Sequence, residues 1–291
     1  MGEVTEPQQA REVGEAVESQ QVREVGEAVE SHRVREVAES FGADAARYDR
    51  ARPSYPPALV DWIVAGQHSA GQQGVSLLDV GCGTGITSRL FQAAGCRVLG
   101  IDPDPRMADL ARAGGIEVEV ATFEDWDPAG RVFDAVTAGQ AWHWVDPVAG
   151  AAKAAQALRP GGRLTLFWNS CLPPAGLNEA LGAVLNQVMP NAPRGAGLPG
   201  PDVYARGCER AADGMARAGG FGPAQQARFD WERPYTRDEW LDAVPTFGGI
   251  GGRLPAATLA ELTAGIGAAI DAVGGSFVMG YATLAVTATR A

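Results

Sequence analysis

From residue 75 onward, short apolar runs alternate with stretches in which apolar residues recur every three or four positions. The first kind of segment reads as buried strands and the second as helices packed on a sheet. This pattern predicts strands at 75–80, 97–101, 116–121, 133–138 and 163–168, with helices at 84–94, 106–113 and 148–158 between them. Gly114-Gly115 stops the second helix, Asp146-Pro147 starts the third, and Arg159-Pro160-Gly161-Gly162 ends it. Regular strand–helix alternation implies an α/β architecture with a doubly wound, mostly parallel sheet.

The flanks read differently. Pro53 and Pro56 break helical backbone and set an extended turn ahead of a helix at 57–65. Beyond Trp168, prolines separate helix-like pieces at 177–188 and 203–218, and an insertion over about 170–225 is expected to act as a substrate lid. A strand at 226–231, helices at 236–244 and 256–273, and a strand at 277–288 close the chain. At the other end, Arg11-Glu12-Val13-Gly14-Glu15-Ala16-Val17-Glu18-Ser19 recurs at 23–31 and begins again at Arg35. A 12-residue period turns each copy by about 120° on a helix, so the valines form no continuous stripe. Residues 1–40 are therefore expected to form an acidic arm, helical or disordered, with self-association as its sharper role. Residues 41–291 are expected to form one domain.

The candidate chemistry lies where the first strand meets its helix, at Leu77-Leu78-Asp79-Val80-Gly81-Cys82-Gly83-Thr84-Gly85. Glycines at alternate positions fit a tight turn where a ligand approaches backbone that a Cβ would block. Asp102 ends the second strand, where an acid can accept hydrogen bonds from both hydroxyls of a ribose. Together these features indicate an adenosine-containing ligand. The spacing is G-x-G-x-G, and Ile86 occupies the position of the last glycine of the dinucleotide fingerprint. Asp79 would repel a pyrophosphate but suits an ammonium group. S-adenosylmethionine, with adenosine at one end and a cationic amino acid at the other, fits better than NAD.

Composition narrows the classes. The 291 residues are 46% hydrophobic and 20% charged, as in ordinary globular proteins. No apolar run approaches the roughly 18 residues of a membrane span, and the acidic start does not read as a signal peptide. A net charge of −11 argues against nucleic acid as partner. Cys82, Cys96, Cys171 and Cys208 show no paired spacing, and His32, His68 and His143 do not cluster with them, so no metal is expected. Unpaired cysteines fit reduced thiols and a cytoplasmic setting.

Leu78-Asp79-Val80-Gly81-Cys82-Gly83-Thr84-Gly85 resembles the first motif of class I S-adenosylmethionine-dependent methyltransferases. Leu158-Arg159-Pro160-Gly161-Gly162-Arg163-Leu164 resembles the family's pattern before its fifth strand, and Tyr48 with Arg52-Pro53 is similar to its Tyr-x-x-x-Arg-Pro segment. The resemblance spans 41–169 and points to the small-molecule, type 11-like branch. It implies a Rossmann-like seven-stranded sheet with an antiparallel last strand beside the fifth. It also implies a cofactor site of Asp79, Gly81, Cys82, Gly83 and Gly85 in the loop, and Asp102 with Pro103 and Met107 beyond the second strand. Tyr48 and Arg52 would meet the methionine end, with Arg52 suited to its carboxylate. Thr122, Phe123 and Glu124 would surround the adenine, either Thr122 or Glu124 reading its amine, and Gln140 would follow the fourth strand.

Methyl transfer from a sulfonium is an in-line displacement in which alignment alone contributes roughly 7–11 kcal/mol. A base is needed only for a protonated nucleophile. His143 follows the fourth strand at the open carboxyl edge of the sheet, and serves either as that base or as part of the site wall between Trp142 and Trp144. Tyr48, Tyr55, Trp142, Trp144 and Trp168 suggest a partly apolar pocket. The expected acceptor is a small molecule or biosynthetic intermediate, methylated on oxygen or nitrogen, in bacterial secondary metabolism. A peptide acceptor and a non-catalytic cofactor-binding protein are the alternatives.

Overall fold

The structure, a computed structural model, describes residues 41–67, 74–190 and 200–291. The repeat at 1–40 lies outside the described residues. A seven-stranded sheet has the order β3-β2-β1-β4-β5-β7-β6. Its strands are β1 Ser76–Val80, β2 Arg97–Asp102, β3 Glu117–Val120, β4 Phe133–Gly139, β5 Leu158–Leu172, β6 Gln225–Thr236 and β7 Ser276–Thr289. β1 to β5 run parallel, and β7 lies antiparallel between β5 and β6. The expected doubly wound sheet with an antiparallel last strand is the observed one.

Helices cover both faces, which is why the central strands are apolar runs without alternation. Labelled in chain order, they are α1 Ala45–Ala51, α2 Pro57–Val64, α3 Ile86–Ala93, α4 Pro105–Ala113 and α5 Pro147–Ala157. They continue as α6 Ala175–Val188, α7 Pro201–Ala218, α8 Arg237–Ala243 and α9 Ala256–Ala272, with helical turns at Val244–Gly249 and Ile250–Arg253 between the last two. On one face Leu78, Val80, Ile101, Val136 and Leu166 pack under α5 and α7. On the other, Leu77, Ala135 and Phe167 pack with Leu59 and Ile63 of α2 and Phe91 of α3. Adjacent residues of β1 thus feed opposite cores.

Three strands outrun their expected bounds. β5 continues to Leu172, β6 to Thr236, and β7 begins at Ser276. Arg233 and Pro234 obscure the strand pattern of β6, and a proline is tolerated there because β6 is an edge strand. These extensions project past the carboxyl ends of β1 and β4 and carry a second lobe. Its core joins Leu177 and Leu181 of α6, Trp240 of α8, Leu262 and Ile266 of α9, and Tyr235, Phe277 and Tyr281 of the sheet. The remaining helix of the 170–225 region, α7, lies on β5, β7 and α5 and buries Cys208, Ala211, Gly214 and Met215. Gly214 is required there, since a Cβ would come within 2.5 Å of the Pro147 carbonyl oxygen.

Candidate active site

β1 pairs with β2 on one side and β4 on the other, so the strand order reverses at β1 and opens a crevice beyond the carboxyl ends. The glycine loop lies across it. Gly81, Gly83 and Gly85 have φ of 65°, 57° and 85°, left-handed values that an L side chain resists. A Cβ on Gly81 would also stand 2.4 Å from the Ala141 methyl. The loop is pinned from below, the N–H groups of Gly81 and Cys82 donating to the Ile101 carbonyl at 2.8 and 3.0 Å. Gly85 is the residue before α3 and packs toward Ala111 and Ile116, away from the crevice.

A cleft partly open to solvent is lined by Tyr48, Arg52, Pro53 and Tyr55 on one side and Gly81 to Thr84 on the other. Ile86, Thr87, Gly139, Gln140 and Asn169 complete it. Of the residues expected to bind the cofactor, Tyr48, Arg52, Gly81, Cys82, Gly83 and Gln140 meet here. Tyr48 and Arg52 come from α1 and the residue that ends it, a helix capped by the Asp44 carboxylate accepting from the Arg47 N–H at 3.0 Å. The Arg52 guanidinium lies 4.9 Å from the Tyr48 ring centre and 4.7 Å from that of Phe247. Among the described residues no carboxylate pairs with it.

Asp79 and Asp102 sit beneath the loop. Asp79 accepts from the Ser88 hydroxyl at 2.6 Å and the Thr137 hydroxyl at 3.1 Å. Burial pushes its carboxyl up to about 6 against the pull of those two bonds, with Asp102 adding repulsion. Asp102 accepts from the Gly83 N–H at 2.8 Å and the Asp104 N–H at 2.9 Å. Burial raises its carboxyl too, to about 6, opposed by those amides. Each carboxylate oxygen keeps a second lone pair for a ligand. Burial likewise raises the Cys82 thiol, so it lines the cleft as a small neutral group.

The other expected residues are placed as follows. Pro103 is exposed beyond Asp102, while Met107 is buried with its methyl 3.8 Å from where a Gly83 Cβ would lie. Phe123 is buried, its ring stacked on Trp126 at 6.3 Å and tilted against Trp142 at 6.0 Å. The Thr122 hydroxyl donates to Asp125 at 2.8 Å, and Glu124 is exposed. Gln140 has a left-handed φ of 57°, held by its N–H on the Phe167 carbonyl at 2.9 Å and its side-chain amide on the Asn169 carbonyl at 3.1 Å. His143 stands on the surface with its ring 4.6 Å from Trp144. Desolvation by the surrounding wall, then Arg210 and Arg52, lower its pKa and leave the imidazole neutral near pH 7, a shift that its solvent-facing side tempers.

Of the aromatic residues expected around a pocket, Tyr55 lines the cleft while Trp142 and Trp168 lie in the core. Sequence reading passed over Asn169, whose side chain donates to the Ser54 carbonyl at 2.9 Å and accepts from the Thr283 hydroxyl at 2.6 Å. Nothing local marks it, because its partners are 115 and 114 residues away. Among the described residues no group of His, Cys, Asp and Glu is arranged to hold a metal ion, and no helix is long and apolar enough to cross a membrane.

Residues 78–166 match the model of the methyltransferase domain family. An uncharacterized methyltransferase of Mycobacterium tuberculosis is 39% identical over 151 residues, 51% of this chain and 59% of that protein. A ubiquinone biosynthesis O-methyltransferase of Aromatoleum aromaticum is 38% identical over 117 residues, 37% of this chain and 48% of that protein. The chain thus spans about half the length of these relatives. The solved structure of a candidate type II methyltransferase from Anaeromyxobacter dehalogenans shares the fold, with a TM-score of 0.58 and 22% identity over 82% of this chain and 97% of that one. Residues 78–166 are therefore similar to methyltransferase domains, and the chain shares the fold of that solved structure.

Proposed function

We propose that the protein transfers a methyl group from S-adenosylmethionine to a small-molecule acceptor in the cytoplasm. The observation that carries this reading is the charge pattern around the cleft, with Arg52, which meets no carboxylate among the described residues, on one wall and Asp79 and Asp102 buried beneath the other. Such a site fits a ligand with a carboxylate, an ammonium and a ribose along its length. The glycine cradle fits too, since a Cβ at Gly81 would collide with Ala141 and narrow the entry. Arg52 would take the carboxylate, Asp79 the ammonium and Asp102 the ribose hydroxyls, with Phe123 and either Thr122 or Glu124 at the adenine. When bound, the cofactor supplies a methyl group on a sulfonium, open to in-line displacement.

The protein's part is to fix the ligand and exclude water. Tyr48 and Arg52 close over the loop, and Gln140 is locked in an uncommon backbone conformation of the kind that collects at functional sites. The O-methyltransferase name of one relative favours an oxygen acceptor. A hydroxyl acceptor loses its proton as the new C–O bond forms, and neutral His143 can receive it. Replacing His143 by alanine then lowers kcat by about 10²-fold or more, whereas a wall residue changes KM alone. Calorimetric titration of S-adenosylhomocysteine into the wild type and Asp102→Ala tests the cofactor site. Binding that collapses in the variant supports the reading; no wild-type binding, or binding indifferent to Asp102, refutes it.

A further inference from the structure

The helix that ends at Arg52 is fastened to the second lobe through Asp242. Asp242 of α8 accepts two hydrogen bonds from Arg50, from Nε at 2.9 Å and from Nη2 at 3.0 Å. Arg47, one turn earlier on α1, brings its Nε within 3.2 Å of the same carboxylate and 3.4 Å of Asp44, a charge contact rather than a hydrogen bond. Just beyond α8, Phe247 forms the far side of the Arg52 sandwich. The opposite side of α1 is tied to the glycine loop, since Arg89 of α3 donates to Asp49 at 2.6 Å and to the Thr84 carbonyl at 2.7 Å. Helix α1 is therefore strung between the loop and a lobe built from residues nearly two hundred positions away.

We infer that Asp242 is a positioning residue of the cofactor cleft: by gripping Arg47 and Arg50 it holds α1, and with it Tyr48 and Arg52, over the glycine loop. The inference rests on reading the cleft as the S-adenosylmethionine site. A forked arginine–carboxylate pair fixes geometry as well as energy, and a second arginine makes it a network rather than an isolated surface pair. The grip therefore acts on how fast a ligand leaves. The Asp242 side chain keeps 30% of its surface exposed, so α1 can open without breaking the core.

The test compares wild type, Asp242→Asn, Arg50→Ala and the double variant. Hydrogen exchange on ligand-free protein reads the amides of α1, with α5 as internal reference. Release of S-adenosylhomocysteine by stopped flow reads the cleft. Each single variant is expected to speed α1 exchange and ligand release about three- to tenfold, with the double variant no worse than Asp242→Asn alone, as for residues acting as a unit. Unchanged α1 exchange overturns the inference, and so does faster exchange with unchanged release or strictly additive effects. Should the wild type bind no S-adenosylhomocysteine, the cofactor reading falls and the exchange data alone decide whether Asp242 grips α1.

Discussion

Asp79 and Asp102 are buried carboxylates for which the structure provides hydrogen bonds but, among the described residues, no cation. Their folded pKa of about 6 lies above the ordinary value of 3.8, so the folded state holds protons more tightly than the unfolded chain. The stability they contribute is fully present below 3.8 and is lost as pH rises through about 6. Ligand-free protein should therefore melt a few degrees higher at pH 5 than at pH 7, and Asp79→Asn should flatten that slope in a calorimetric scan. As pH falls from 7 to 5, S-adenosylhomocysteine affinity should fall, because a neutral carboxyl holds an ammonium poorly. Arg52→Ala should weaken the same ligand about ten- to a hundredfold, the loss of a charge-assisted hydrogen bond. Gly81→Ala should abolish binding and cost about 1–3 kcal/mol of stability, since it combines a left-handed backbone with a collision at Ala141.

At the scale of elements, β1, β2, β4 and β5 were legible because each carries an apolar run ended by glycine, acid or turn, and the edge strand β3 because its acidic and apolar residues alternate. Helix α5 was legible from its cap alone: Asp146 accepts from the N–H groups of Val148 and Ala149, and Pro147 takes the first helical position. Asp146→Ala should lower the unfolding free energy by about 1 kcal/mol in a denaturant titration and leave ligand affinity unchanged, since α5 lies outside the cleft lining. Helix α1 was not legible. It is seven residues long, too short for a periodicity to emerge, and the prolines just after it dominate the local signal. Beside the local Asp44 cap, it is anchored by Asp242 and Arg89, distant partners that no local pattern announces.

For the whole molecule, the two lobes meet around the cleft through α1 and the extended ends of β5 to β7. A ligand seated there should stabilise the folded state by about 2.7 kcal/mol at a hundredfold excess over its Kd, raising the melting temperature by several degrees. That shift should shrink in Asp242→Asn in proportion to the loss of affinity.

The sequence by itself determined the doubly wound sheet, the glycine loop and the acid at the end of β2, because these depend on local periodicity and on backbone conformations that only glycine adopts freely. The same local chemistry favours an S-adenosylmethionine site over a dinucleotide site. Only the tertiary structure decided that Asn169 joins Ser54 to Thr283, that Phe247 faces Arg52, and that Asp242 secures α1. Each of those contacts joins residues more than a hundred positions apart, and their pairing exists only once the sheet has brought the two lobes together.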